Sequence, residues 1–125
     1  MSPRAAGATQ HELSRIGLLA TLPGETLARL AQNMTREDIP AGAGVVVEGE
    51  EGDRFYVVLS GMLAVSQRSR GAQSVLRPGD YFGEVALAMG IPRTATVRAL
   101  TPVTVASCDR ETFDEYIRPL FADGP

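Results

Sequence analysis

Between His11 and Asn33 apolar residues recur at helical spacing. Leu13, Ile16, Leu18 and Leu19 form one cluster and Leu27, Leu30 and Met34 another, with Leu22-Pro23-Gly24-Glu25 between them. The spacing predicts a first helix that stops near Leu19 and a second that starts at Pro23, with Glu25 near its positive end. From Thr35 onward the texture changes to short apolar runs broken by turn residues. Ile39 precedes Pro40-Ala41-Gly42, Val45 to Val47 precede the acidic stretch Glu48 to Asp53, and Phe55 to Leu59 precede Ser60-Gly61. Met62 to Val65 lead to Arg68-Ser69-Arg70-Gly71, and Ser74 to Leu76 lead to Arg77-Pro78-Gly79-Asp80. Val97 to Leu100 and Val103 to Ala106, split at Thr101-Pro102, supply two more strands. Short strands with turns at such close intervals predict an antiparallel barrel or sandwich. Jelly-roll closure is preferred because it removes most exposed strand edges, and no fixed sequence period points to repeats. Asp109 predicts the N-cap of a final helix with Phe113, Tyr116 and Ile117 facing inward, which Pro119 should end or kink.

A length of 125 residues suits one core rather than two. The hydrophobic share of 44% excludes disorder outside the ends. No apolar run approaches the roughly 20 residues that span a bilayer, and Met1 to Gly7 lack the apolar stretch of a secretory signal. Residues 1–10 read as a flexible leader and 11–125 as one domain: helices over 11–34, strands over 35–108 and a helix over 109–120. The single cysteine, Cys108, rules out an internal disulfide and fits a reducing, cytoplasmic setting; within an apolar run it reads as a small buried residue. A net charge of −3 argues against nucleic-acid binding by this chain. His11 is the only histidine, so a zinc site, a histidine-based hydrolase and a cupin metalloenzyme lack their ligands or bases. The four carboxylates between Glu48 and Asp53 do not follow the order of an EF-hand loop and read as a solvated hairpin tip, as Arg68 and Arg70 read as a wet turn.

The chemistry concentrates between Phe82 and Val97. A helix beginning near Gly83 aims backbone N–H groups and a positive dipole end at whatever lies before it, and Gly83 lets that backbone come close. Arg93, after the Gly90-Ile91-Pro92 break, can bring a planar guanidinium to the same anion. Glu84 would repel a bare phosphate but accept a hydrogen bond from a sugar hydroxyl. The combination suits a phosphate joined to a ribose. Against it stands a plainer reading, in which Glu84 and Arg93 simply pair with each other.

The run Phe82-Gly83-Glu84-Val85-Ala86-Leu87, followed by Pro92-Arg93-Thr94-Ala95, closely resembles the phosphate-binding cassette of cyclic nucleotide-binding domains. Protein kinase A regulatory subunits, cyclic nucleotide-gated channels and the bacterial catabolite activator protein share that module. The resemblance implies a mainly β fold with flanking helices: an antiparallel β-roll of jelly-roll type with N-terminal helices, a short cassette helix and a short C-terminal helix. It implies that Glu84 accepts from the ribose 2′-hydroxyl and Arg93 holds the cyclic phosphate. Gly83, Val85 and Ala86 would offer backbone N–H groups, Thr94 would sit beside phosphate and base, and Ala95 completes the set. Val75 and Leu76 are the strand residues expected against the base. The ligand it implies is cyclic AMP first and cyclic GMP second, with no cofactor or metal. Members usually continue into a longer helix over the base; with only Leu120 to Pro125 remaining, that lid is expected to be absent or curtailed, and a helix-turn-helix has no room. The chain therefore reads as a regulatory, signal-transducing sensor serving an effector domain or subunit, without a membrane segment of its own.

Two other classes stand beside that one. A degenerate fold used for protein interaction or oligomerisation would fold normally without ligand stabilisation. A phosphodiesterase-like enzyme would need a metal cluster or activated nucleophile that the chain does not supply.

Overall fold

The computed structural model describes residues 8–122 of the chain. Thr9 caps α1 (Gln10–Ser14), its hydroxyl accepting from Glu12 N–H while the Glu12 carboxylate accepts from Thr9 N–H, both at 3.0 Å. The helix stops at Ser14, five residues short of the expected Leu19. Tight turns follow, with Ile16 N–H donating to Leu13 O, Leu19 to Ile16 and Leu22 to Leu19. The reason lies in the spacing: Leu13, Ile16 and Leu19 are all at most 1% exposed, and a strict period of three stays on one face in three-residue turns but drifts around an α-helix. Helix α2 (Gly24–Gln32) begins after Pro23, as its apolar spacing predicts. Residues 1–7 of the expected leader lie outside the described residues, and Thr9 and Gln10 already belong to the cap and helix.

Eight strands follow: β1 (Thr35–Ile39), β2 (Gly44–Val46), β3 (Arg54–Ser60), β4 (Leu63–Gln67), β5 (Gly71–Leu76), β6 (Tyr81–Phe82), β7 (Thr96–Ala99) and β8 (Val103–Asp109). They form two four-stranded sheets, ordered β1-β8-β3-β6 and β2-β7-β4-β5, in which every described pairing is antiparallel. The cassette helix α3 (Glu84–Met89) lies between β6 and β7. This is the antiparallel β-roll with flanking helices that the cassette implies.

Strands β3 and β8 are apolar on both faces because both faces are covered. Phe55, Val57, Ala106 and Cys108 pack with the helices, among them Leu13, Leu30, Leu87, Phe113 and Ile117. Their neighbours Tyr56, Val58, Val103 and Val105 pack instead with Leu63, Phe82, Val97 and Ala99 of the roll interior. Cys108 is fully buried and its thiol is pushed up to about 12 by that burial, so it fills space and stays protonated. Two strands carry no clear sequence signal: β1 is exposed at every residue but Ile39, and β6 has only two residues. Gly61 turns β3 into β4 at φ +85°, with the Pro102 carbonyl and Val103 occupying the space any side chain would need.

At the C-terminus α4 (Arg110–Thr112) runs into a π-type stretch (Phe113–Ile117) and then α5 (Arg118–Ala122). Pro119 therefore does not end the helix, which instead departs from α geometry in the stretch just before it. The wider π-type turn just before it shifts the carbonyl row that its ring would otherwise strike. The Asp109 carboxylate accepts from Thr112 N–H at 2.9 Å, and that bond, with the Thr112 hydroxyl, holds its pKa below the ordinary 3.8. A lowered folded-state pKa gives stability that is present above the unfolded value and lost as pH falls through the folded one. Asp109→Ala is expected to cost about 1 kcal/mol at neutral pH, and denaturant unfolding at descending pH should show the gap to wild type closing below the ordinary carboxylate range.

Candidate functional site

Arg93 is only 7% exposed, and the fold is built around it. Its backbone is fixed to the acidic turn between β2 and β3: Arg93 N–H donates to Glu50 O and Gly49 N–H donates to Arg93 O, both at 2.8 Å. Its guanidinium donates to Arg54 O at 2.9 Å and Gly83 O at 3.4 Å, and its carbon lies 5.9 Å from the centre of the Tyr56 ring. Burial pushes the Arg93 pKa down; Tyr56 and Asp53 push the other way. Two glycines close on it. A Cβ on Gly52 would lie 2.6 Å from Nε and 2.7 Å from Cζ, and one on Gly83, at φ +97°, would lie 2.9 Å from a terminal nitrogen. Gly83 thus does what a close backbone approach requires, and Gly52 does the same without having been singled out by sequence.

Arg93 forms part of a cleft of about 250 Å³ with the first turn of α3, Gly83 to Ala86, and with Thr94 and Ala95. Val46, Val65, Leu76 and Val97 give it an apolar wall, and Tyr81, Phe82 and Ser74 complete it. Eight of the nine residues expected from sequence come together here. Val75 does not: it lies on the other face of β5 and is 36% exposed, while its neighbours Ser74 and Leu76 line the cleft. Strand parity is the reason, since adjacent residues point to opposite faces and an apolar pair cannot both face inward. β5 also has a register shift against β4 at Val65/Ser66.

Glu84 and Arg93 do not pair. The ion pairs among the described residues are Arg36–Glu12 and Arg118–Asp114, so both charges of the cleft lack a partner of opposite sign within salt-bridge distance. Burial raises the Glu84 pKa, against a smaller lowering by its own backbone N–H. Tyr81 is raised too, first by burial and then by the nearby Glu84 and Asp80 carboxylates. An ionised Glu84 in this half-buried place costs free energy, which its own backbone N–H offsets in part and a further donor beside it would offset more.

The far end of α3 is held by two arginines that sequence reasoning missed. Arg110 donates to Leu87 O at 3.1 Å and Gly52 O at 3.3 Å; Arg118 donates to Leu87 O at 3.2 Å and Ala88 O at 3.1 Å. Arg118 is itself set by the Asp114 carboxylate at 2.8 Å and by the Phe113 ring, 5.5 Å from its guanidinium carbon. Cations at a helix C-terminus satisfy free carbonyls and complement the dipole. Here they also tie the cassette to the C-terminal helix, where Phe121 meets Tyr81 of the cleft edge-on at 5.5 Å. Nothing local in the sequence signals contacts that join residues so far apart.

The profile of the cyclic nucleotide-binding domain family matches residues 36–119. The chain is 38% identical over 107 residues to a cAMP-dependent protein kinase regulatory subunit of Debaryomyces hansenii, covering 86% of this chain and 24% of that protein. It is 30% identical over 109 residues to a CRP-like cAMP-activated global transcriptional regulator of Mycobacterium tuberculosis, covering 84% and 49%. Among solved structures, the cAMP-bound PfPKA-R superposes with a TM-score of 0.86 at 28% identity, over 91% of this chain and 40% of that one. The chain belongs to the cyclic nucleotide-binding domain family. It spans about a quarter of the kinase regulatory subunit and half of the transcriptional regulator; both relatives are named for regulation rather than catalysis. Among the described residues no helix is long and apolar enough to cross a membrane, and no cluster of metal-ligating side chains occurs.

Two substitutions and a control test the electrostatics and packing of the cleft. A folded-state pKa above the ordinary 4.5 means that Glu84 supports folding fully at pH below that value and loses this contribution as pH rises through the folded pKa. Glu84→Gln should therefore unfold at or above the wild-type temperature at pH 7 without ligand, with the difference vanishing near pH 4. Gly52→Ala forces a methyl against a buried guanidinium and should cost about 1–3 kcal/mol in denaturant unfolding. Gly44→Ala, which meets nothing within 4 Å, should stay within about 0.5 kcal/mol of wild type.

Proposed function

We propose that this chain is a regulatory sensor that binds a cyclic nucleotide, cyclic AMP before cyclic GMP, and switches an effector joined to it covalently or held noncovalently. The observation that carries the reading is the cleft in which Arg93 and Glu84 both sit without pairing to each other. In this reading Arg93 neutralises the single charge of the cyclic phosphate, together with backbone N–H groups of Gly83, Val85 and Ala86; charge-assisted bonds of this kind contribute about 1.5–3 kcal/mol each. Glu84 accepts from the ribose 2′-hydroxyl, which separates ribose from deoxyribose. The base lies along the apolar wall of Val65, Leu76 and Val97, with Thr94 beside it.

The domain performs no chemistry in this reading. Occupancy changes the balance between conformations, and α3, tied to the C-terminal helix by Arg110 and Arg118, is the element through which that change leaves the site. The relatives named for cAMP-dependent kinase regulation and cAMP-activated transcription support a cyclic nucleotide as the input. A kinase catalytic subunit or a further domain of the same polypeptide fits as the output, and a cytoplasmic location goes with both.

The test is thermal unfolding of wild type and Arg93→Ala with cyclic AMP, cyclic GMP and linear AMP. A ligand at 100 times its dissociation constant stabilises the native state by about 2.7 kcal/mol. Wild type should shift with cyclic AMP and not with linear AMP, and Arg93→Ala should weaken binding at least about tenfold, near 1.4 kcal/mol. No shift with either cyclic nucleotide at millimolar concentration would instead make this a ligand-free interaction domain.

A further inference from the structure

Between Arg93 and the first ladder pair of β7 the chain crosses a short unsupported span. Arg93 is pinned through its backbone to Gly49 and Glu50, and pairing of β7 with β4 begins at Ser66↔Thr96. Thr94 and Ala95 lie between these anchors, outside any strand, and both line the cleft. One side chain reaches in to hold them: Gln67, the last residue of β4, donates from Nε2 to the Thr94 carbonyl at 2.9 Å. A trans peptide is planar with its C=O and N–H opposed, so fixing the Thr94 carbonyl toward Gln67 also fixes the Ala95 N–H in the opposite direction.

Gln67 is itself rigidly placed. Its neighbour Arg68 donates from the backbone to Glu48 Oε1 and from the guanidinium to Glu48 O, both at 2.8 Å. Glu48 N–H in turn donates to Thr96 Oγ1 at 3.0 Å. The β4–β5 turn is thereby bolted to the β2–β3 turn that already carries Arg93. Gln67 does not itself line the cleft.

We infer that Gln67 is a positioning residue of this site: through the Thr94 carbonyl it sets the Thr94-Ala95 span, and so the affinity and the base preference of the cleft. The inference rests on the cyclic nucleotide reading above. Base preference enters because Thr94 carries the one hydroxyl between Gly83 and Ala95, and its direction follows from the backbone that Gln67 holds.

Calorimetric titration of cyclic AMP and cyclic GMP into wild type, Gln67→Met and Gln73→Met tests it. Methionine removes the donor without adding charge near an anionic ligand. Gln73 is the control, since its amide donates only to the adjacent carbonyls of Arg70, Gly71 and Ala72. Gln67→Met should lower the affinity for cyclic AMP about two- to tenfold, the loss of one hydrogen bond. It should also change the ratio of the two affinities and unfold without ligand at the temperature of Gln73→Met. Titration like Gln73→Met, or a loss matched by a fall in unfolding temperature, overturns the inference. Equal weakening for both nucleotides at an unchanged unfolding temperature keeps the positioning role and overturns the part on base preference. If wild type binds neither nucleotide, the functional reading fails separately, and amide exchange at residues 94–95 decides: faster exchange in Gln67→Met than in Gln73→Met supports positioning, and equal exchange overturns it.

Discussion

A guanidinium withdrawn from water needs its donors met and its surroundings shaped to it, and in this domain Arg93 imposes that demand on everything near it. Arg54 and Gly83 supply carbonyls, Tyr56 an aromatic face, and Gly52 and Gly83 the absence of a side chain. The β2–β3 turn holds its backbone on both sides. These groups lie on β3, at the start of α3 and in the acidic turn, so the position of one cation ties β3, α3, the acidic turn and the approach to β7 into one unit.

The acidic stretch from Glu48 to Asp53 takes on a meaning that its charge alone does not suggest. Its carboxylates remain mostly exposed, as a solvated hairpin tip should be. Its backbone, however, is the clamp on Arg93, and Gly52 is both the surface against the guanidinium and an acceptor for Arg110. The turn is thus a mechanical part of the cleft, and its Asp53 also favours the charged form of Arg93.

The cassette helix is short, and a helix of six residues gains little from its own hydrogen bonds. It is held instead from both ends: by Gly83 against Arg93 at the start, and by Arg110 and Arg118 at the carbonyl end. Leu87 is its main anchor in the helical core, while Met89 is 68% exposed. Ala86 and Leu87 are its buried residues, and polar ties hold its two tips.

By itself the sequence determined the texture and most of the residues that the cleft would bring together. Glycine, carboxylate and arginine stand in a fixed order within a few residues of one another, and that local spacing suffices to name Gly83, Glu84 and Arg93. Short apolar runs between turns suffice to predict an antiparallel barrel or sandwich, and an N-cap aspartate to predict the last helix. What depends on distant partners had to wait for the tertiary structure. Edge strand β1 carries no alternation because only one of its residues is buried, and α1 ends early because its leucines suit tighter turns once packed. Ser74 rather than Val75 faces the cleft because pairing sets parity, and pairing is not written in either residue. Gly52, Arg110, Arg118 and Gln67 act on residues up to tens of positions away, through hydrogen bonds that exist only when the two sheets and the helices have come together.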